Sequence, residues 1–144
     1  MTPYVLGFGF HKFTDDVYVS LIRKNKPEWQ KGKRNGVGGK VELNEHPQNA
    51  MVREFKEETG VDTKKDDWKL FCQYYDDINF YVYCYYSFLN DLTTTITDEP
   101  VTIHSVNKLP DNVIPNIRWL VPMALSFSKG EKAEQFIIKE CIKS

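Results

Sequence analysis

The chain has 144 residues, 41% of them hydrophobic, 14% aromatic and 27% charged, which suits a single globular domain spanning residues 1–144. A formal net charge of -1 excludes a molecule-wide electrostatic trap for DNA or RNA, so any attraction to phosphate has to be local. No stretch approaches the ~20 apolar residues needed to cross a bilayer, and the N-terminal segment lacks the basic region and cleavage site of a secretory signal.

In chain order, Tyr4–Phe10 and Val17–Ile22 read as strands, the second with Val17, Val19 and Leu21 alternating against Tyr18 and Ser20. A basic loop from Arg23 to Asn35 follows, then Gly36-Val37-Gly38-Gly39 and a short strand around Lys40–Leu43. Pro47 suits the first turn of a helix, with Asn44 or His46 as cap, and Gly60 suits its left-handed end after about Thr59. Trp68–Tyr75 and Phe80–Leu89 are expected strands joined by a turn at Asp76-Asp77-Ile78-Asn79, and Val101–Val106 is another. Cys72 and Cys84 fall inside these strands. With Cys141 they make an odd count and form no CxxC pair, so a reducing, cytoplasmic location is expected. Asn116–Phe127 is expected to be helical despite Pro122, and Glu131–Ile142 reads as an amphipathic helix burying Ala133, Phe136, Ile137 and Ile138. Strands flanking a central helix, with helices at the end, predict an α/β domain whose mixed sheet lies between helices.

The helix after Pro47 carries the chemistry. At 3.6 residues per turn Ala50, Glu54, Glu57 and Glu58 share one face, while Met51, Val52, Phe55 and Thr59 form the apolar one. Three carboxylates at spacings of three and four repel one another, and two lie near the helix C-terminus, where the macrodipole disfavours anions. Arg53 offsets part of this charge, and a hard cation taken by an all-oxygen set, Mg²⁺ or alternatively Mn²⁺, would complete it. The plainer alternative is a solvated acidic face.

The segment Gly39–Val61, GKVELNEHPQNAMVREFKEETGV, resembles the Nudix box, G-x5-E-x7-R-E-U-x-E-E-x-G-U, at Gly39, Glu45, Arg53, Glu54, Phe55, Glu57, Glu58, Gly60 and Val61. Phe55 stands where an aliphatic residue is more usual, a matter of packing rather than chemistry. The resemblance implies a Nudix fold and a hydrolase cutting a diphosphate linkage in a nucleotide. It implies Glu54, Glu57, Glu58 and the Gly39 carbonyl as metal ligands, with Glu45 and Arg53 as a supporting ion pair. A carboxylate from the helix or from the Thr97-Asp98-Glu99-Pro100 segment, with Glu99 or Asp98 as candidates, would orient or deprotonate water.

Beside such a site the basic loop becomes a candidate phosphate clamp, chiefly Arg23 and Arg34, against the alternative of a solvated loop. Trp29 in that loop stacks on a base or anchors the loop. Ile114-Pro115-Asn116-Ile117-Arg118-Trp119 resembles the stretch in MutT-type triphosphatases where a polar residue reads a purine edge, and Asn116 holds that position. Its alternative role is a helix cap. The aromatic run Phe80–Phe88 reads first as core, and otherwise as a stacking wall or a subunit interface.

The proline typical of ADP-ribose hydrolases, the SQPWPFxS motif of NADH hydrolases and a coenzyme A signature are all absent, and Tyr81 is off register for the dinucleoside polyphosphate type. The expectation is therefore a MutT-like nucleoside triphosphate pyrophosphohydrolase, with an oxidised purine deoxynucleotide as candidate substrate, giving nucleoside monophosphate and pyrophosphate and acting on this small-molecule substrate as monomer or homodimer. Alternatives are a nucleoside diphosphate-X hydrolase, an mRNA cap hydrolase, or a binding module that has lost its chemistry. The last is disfavoured by the retained glutamates.

Overall fold

The computed structural model describes residues 1–131 and 134–141. Its strands are β1 (Thr2–Phe13), β2 (Asp16–Arg23), β3 (Arg34–Asn35), β4 (Val37–Lys40), β5 (Lys69–Tyr75), β6 (Phe80–Phe88), β7 (Val101–Ser105) and β8 (Phe136–Lys139). Its helices are α1 (Pro47–Thr59) and α2 (Ile117–Ser128). The strands form one mixed sheet in the order β3-β2-β1-β6-β5-β8, with β4 paired to β1 and β7 to β2. The β1–β6 and β5–β8 pairs are parallel and the other named pairs antiparallel.

β1 shows why helices occupy both faces. Leu6, Phe8 and Phe10 point to one side and pack with Ile117, Leu120, Val121 and Ala124 of α2. Val5 points to the other side, into a cluster with Ala50, Met51 and Phe55 of α1, Trp68 and Tyr85. On that second side β1 carries Gly7 and Gly9, and a Cβ there would fall 2.5 Å from the Met51 Cε and 2.9 Å from the Phe55 Cζ. The glycines let α1 settle onto the sheet, and the mixed sheet between helices matches the expected fold class.

α1 begins and ends as the sequence suggests. Pro47 opens it, the His46 Nδ1 accepts from the Gln48 N–H at 3.2 Å, and Gly60 closes it at φ 78°. Of the two candidate caps, Asn44 instead sits outside the helix at φ 63°. Ala50, expected on the open carboxylate face, is fully buried against the sheet.

Two expectations are corrected. The short strand falls at Val37–Lys40, not Lys40–Leu43, because Gly38 lies tight against β1, where a Cβ would be 1.9 Å from the Val5 oxygen. The segment expected as a C-terminal helix contains strand β8, whose alternation turns Phe136 and Ile138 toward the α2 cluster and leaves Ile137 59% exposed. Phe136, Ile137 and Ile138 are themselves strand-favouring residues, and the open edge of β5 supplies their backbone partners. Ala133 and Ile142 lie outside the described residues.

Candidate functional site

Arg53 organises the carboxylates at the open side of α1. Its Nε and Nη2 donate to the two Glu45 oxygens at 2.9 Å each, a bidentate pair, and Nη2 also donates to the Lys40 carbonyl at 3.0 Å. Nη1 donates to the Glu54 Oε1 at 2.9 Å and reaches Glu57 at 3.4 Å. These donors pin the loop before α1 to the helix. They hold the Arg53 guanidinium charged far above any working pH, chiefly through Glu45, against burial and with Glu54 adding to the effect. The Arg53 hydrogen bond likewise lowers the Glu45 pKa, outweighing burial.

Gly39 and Glu54 meet directly. A Cβ on Gly39 would lie 2.4 Å from Oε1 and 2.5 Å from the carboxyl carbon of Glu54, so the missing side chain is the space the carboxylate occupies. Burial raises the pKa of Glu54, against the lowering effect of Arg53. Burial also raises that of Glu58, which Lys24 opposes and Glu54 and Glu99 reinforce. Glu57 is the most solvated of the box acids that contact Arg53, apart from Glu42 outside the motif, with 56% side-chain exposure.

Of the two loop acids, Glu99 is the one drawn inward. Its Oε2 accepts the Asn25 N–H at 2.7 Å and lies 3.5 Å from the Lys24 Nζ, whereas Asp98 is exposed and engages Asn25 through its backbone oxygen. Burial alone would raise the Glu99 pKa, but these bonds and Lys24 hold it below the ordinary value.

The donor set suits a hard divalent cation: carboxylates and a carbonyl, all oxygen, around a cradle that a Cβ at Gly39 would fill. Among the described residues no three acidic, histidine or cysteine side chains stand close enough to grip an ion as placed. Glu54 and Glu57 turn toward Arg53 instead, which offsets part of their charge.

Beside this cluster a groove of about 600 Å³ opens. Gly38, Gly39 and Lys24 lie at its carboxylate end, Leu6, Gly36 and Val82 also line it, and Tyr74, Phe80, Asn116 and Glu140 line it further along. Asn116 makes no side-chain cap bond to α2, and its buried Oδ1 has no partner among the described residues. Trp29 lines the groove and is 63% exposed, so it does not anchor the loop by burial.

Arg23 and Arg34 do not line it. Arg23 is exposed at the end of β2, and Arg34 donates to the Thr102 Oγ1 at 2.8 Å. Sequence reasoning did not single out Lys24, Tyr74 or Glu140. Lys24 was one of six cations in its loop with nothing local to distinguish it, and Glu140 lay in the segment read as a helix.

A family model described as the NUDIX domain matches residues 5–139. The chain is similar in structure to the NUDIX domain of Shewanella oneidensis NrtR complexed with ADP ribose, at TM-score 0.69 and 15% identity, covering 88% of this chain and 87% of that one. It is also similar to a C. elegans Ap4A hydrolase binary complex, at TM-score 0.67 and 16% identity, covering 90% and 99%. A MutT/nudix family protein from Enterococcus faecalis matches at TM-score 0.64 and 20% identity over 72% of this chain, which spans 42% of that protein's length. At these identities the likeness is one of fold.

Proposed function

The chain belongs to the Nudix hydrolase family, and on that premise we propose that it hydrolyses a diphosphate linkage of a nucleoside triphosphate, giving nucleoside monophosphate and pyrophosphate. The observation that carries this reading is the continuity between the carboxylate face of α1 and the groove: Gly39 touches both, and the groove continues to an unpartnered amide oxygen at Asn116.

In this reading Glu54, Glu57, Glu58 and the Gly39 carbonyl hold Mg²⁺, or Mn²⁺ in its place. Such an ion, when bound, neutralises phosphate charge and acidifies water. The chain's own groups do the rest. Arg53 and Glu45 fix α1 against the Lys40 carbonyl, so the acids keep one geometry. Lys24, the one cation among the described residues that line the groove, faces the phosphates, a place the sequence suggested for Arg23 and Arg34. Water adds to one phosphorus, the bridging oxygen leaves with the other phosphate, and the released proton passes to a carboxylate. Glu99 is ionised and able to accept it, and Glu54 and Glu57 are the helix candidates. Asn116 presents its amide to the base.

A second reading, a nucleoside diphosphate-X hydrolase, is supported by the fold likeness to the ADP-ribose-bound domain and to the Ap4A hydrolase. The deciding experiment is phosphate and pyrophosphate release, with Mg²⁺, from normal and oxidised nucleoside triphosphates, ADP-ribose, dinucleoside polyphosphates and capped RNA. Pyrophosphate from triphosphates supports the first reading. Turnover confined to ADP-ribose or dinucleotides replaces it with the second.

A further inference from the structure

We infer that Glu140, positioned by Tyr74, acts with Asn116 to select a base carrying adjacent N–H donors, the guanine-type edge; this rests on the nucleotide reading above.

Strand β8 brings Glu140 to the groove. Tyr74 and Tyr75 of β5 register against Ile138 and Lys139, the Glu140 N–H donates to the Tyr75 carbonyl at 2.8 Å, and the Lys139 Nζ meets the Asp77 Oδ2 at 2.9 Å. The backbone at Glu140 is therefore tied to the sheet. The Tyr74 ring is fixed between Phe80, at 5.2 Å, and Trp119, edge-on at 5.7 Å, and its hydroxyl donates to the Glu140 Oε2. Burial, reinforced by Glu140, holds the phenol far above its ordinary pKa, so it remains a donor. Trp119 lies in the first turn of α2, three residues from Asn116, so Tyr74, Glu140 and Asn116 serve the same end of the groove.

This end of the groove carries two acceptors beside the Asn116 amide N–H₂. The Glu140 carboxylate accepts hydrogen bonds at about four lone-pair positions, of which Tyr74 takes one. The Asn116 Oδ1 is a buried acceptor with no donor among the described residues. Two acceptors ask for a donor-rich ligand edge. Guanine presents N1–H and N2–H₂ side by side, which a carboxylate can take together. Hypoxanthine lacks the second donor. Adenine turns an acceptor nitrogen toward the carboxylate, and uracil flanks its single N–H with carbonyls. The same negative charge repels phosphate, which directs the phosphates toward Lys24 at the other group of lining residues. Leu6 and Val82 line the groove with apolar surface for a flat ring.

The test is calorimetric binding of GMP, IMP, AMP and UMP to the full chain without added metal, so that it reads the base site and not turnover. The wild type is expected to bind GMP about tenfold tighter than IMP, the size of one hydrogen bond to a charged group. Glu140→Gln should bring the two within about twofold. Tyr74→Phe, which keeps the ring and loses the hydroxyl, should narrow the gap part-way, with folding checked by circular dichroism.

A GMP-to-IMP ratio unchanged in Glu140→Gln overturns the inference, as does preference for AMP or no binding of GMP. Triphosphate hydrolysis with equal GMP and IMP binding overturns this inference alone. GMP selectivity without hydrolysis of any triphosphate overturns the proposed reaction alone.

Discussion

The empty side-chain position of Gly39 is filled by the carboxylate of Glu54: a Cβ there would stand 2.4 Å from Oε1. The atom met belongs to the far end of a flexible side chain, so Gly39→Ala should cost little stability and displace Glu54. Catalysis is sensitive to shifts of about 1 Å, and kcat should fall by about 10²-fold while the melting temperature moves by a few degrees at most. Steady-state kinetics beside thermal unfolding checks this; wild-type kcat in the variant would rule out the fitted pair.

Gly9 meets a rigid neighbour. A Cβ there would approach the Phe55 Cζ at 2.9 Å and the Leu89 Cδ1 at 3.3 Å. Gly9→Ala should therefore destabilise by roughly 1–3 kcal/mol through overpacking. Adding Phe55→Leu should return part of that loss, so a double-mutant cycle by denaturant unfolding should give a non-zero coupling. Strict additivity would mean that α1 does not press on the sheet at this point.

Asp76 caps the β5–β6 turn. Its Oδ1 accepts the N–H groups of Ile78, Asn79 and Phe80 at 3.0, 2.6 and 3.1 Å. Burial pushes its pKa up, but these bonds and the Asn79 side chain prevail and hold it below its ordinary 3.8. A depressed carboxyl contributes stability that is present above the unfolded value and lost as pH falls through the folded one. Asp76→Asn should thus lower the melting temperature by a constant amount from pH 5 to 8, with the gap closing below about pH 4. A gap independent of pH would assign the effect to shape rather than charge.

Glu58 has the opposite sign. Burial raises its pKa above 4.5, so ionising it costs the folded state stability; this cost is absent below the unfolded value and grows as pH rises through the folded one. Glu58→Gln should raise the melting temperature at pH 7 in EDTA and leave it unchanged below about pH 4. Excess Mg²⁺ should stabilise the wild type more and shrink the variant's advantage. An advantage indifferent to both pH and Mg²⁺ would contradict a metal-ligating role.

The sequence makes the central helix legible because its signals are local: Pro47 and Gly60 mark its ends, and the spacing of Glu54, Glu57 and Glu58 sets its face. The ion pair of Glu45 with Arg53 follows from the resemblance and is present in the fold. What escapes is tertiary. Phe136, Ile137 and Ile138 pair with the open edge of β5, a partner that local pattern does not reveal, and the groove's lining depends on which of several basic and acidic residues the sheet turns inward. Parity along a strand explains why Arg34 ends on Thr102, its side chain spent within the sheet, but only the folded loop places Lys24 beside Glu99.

The most direct measurement is calorimetric titration of Mn²⁺ into the nucleotide-free wild type and Glu57→Gln, with triphosphate turnover assayed on the same samples. The account predicts that the variant, whose Glu57 is released from Arg53 at little structural cost, loses at least about tenfold in Mn²⁺ affinity and in turnover together. Wild-type affinity and wild-type turnover in Glu57→Gln would contradict a divalent ion held on this face of α1.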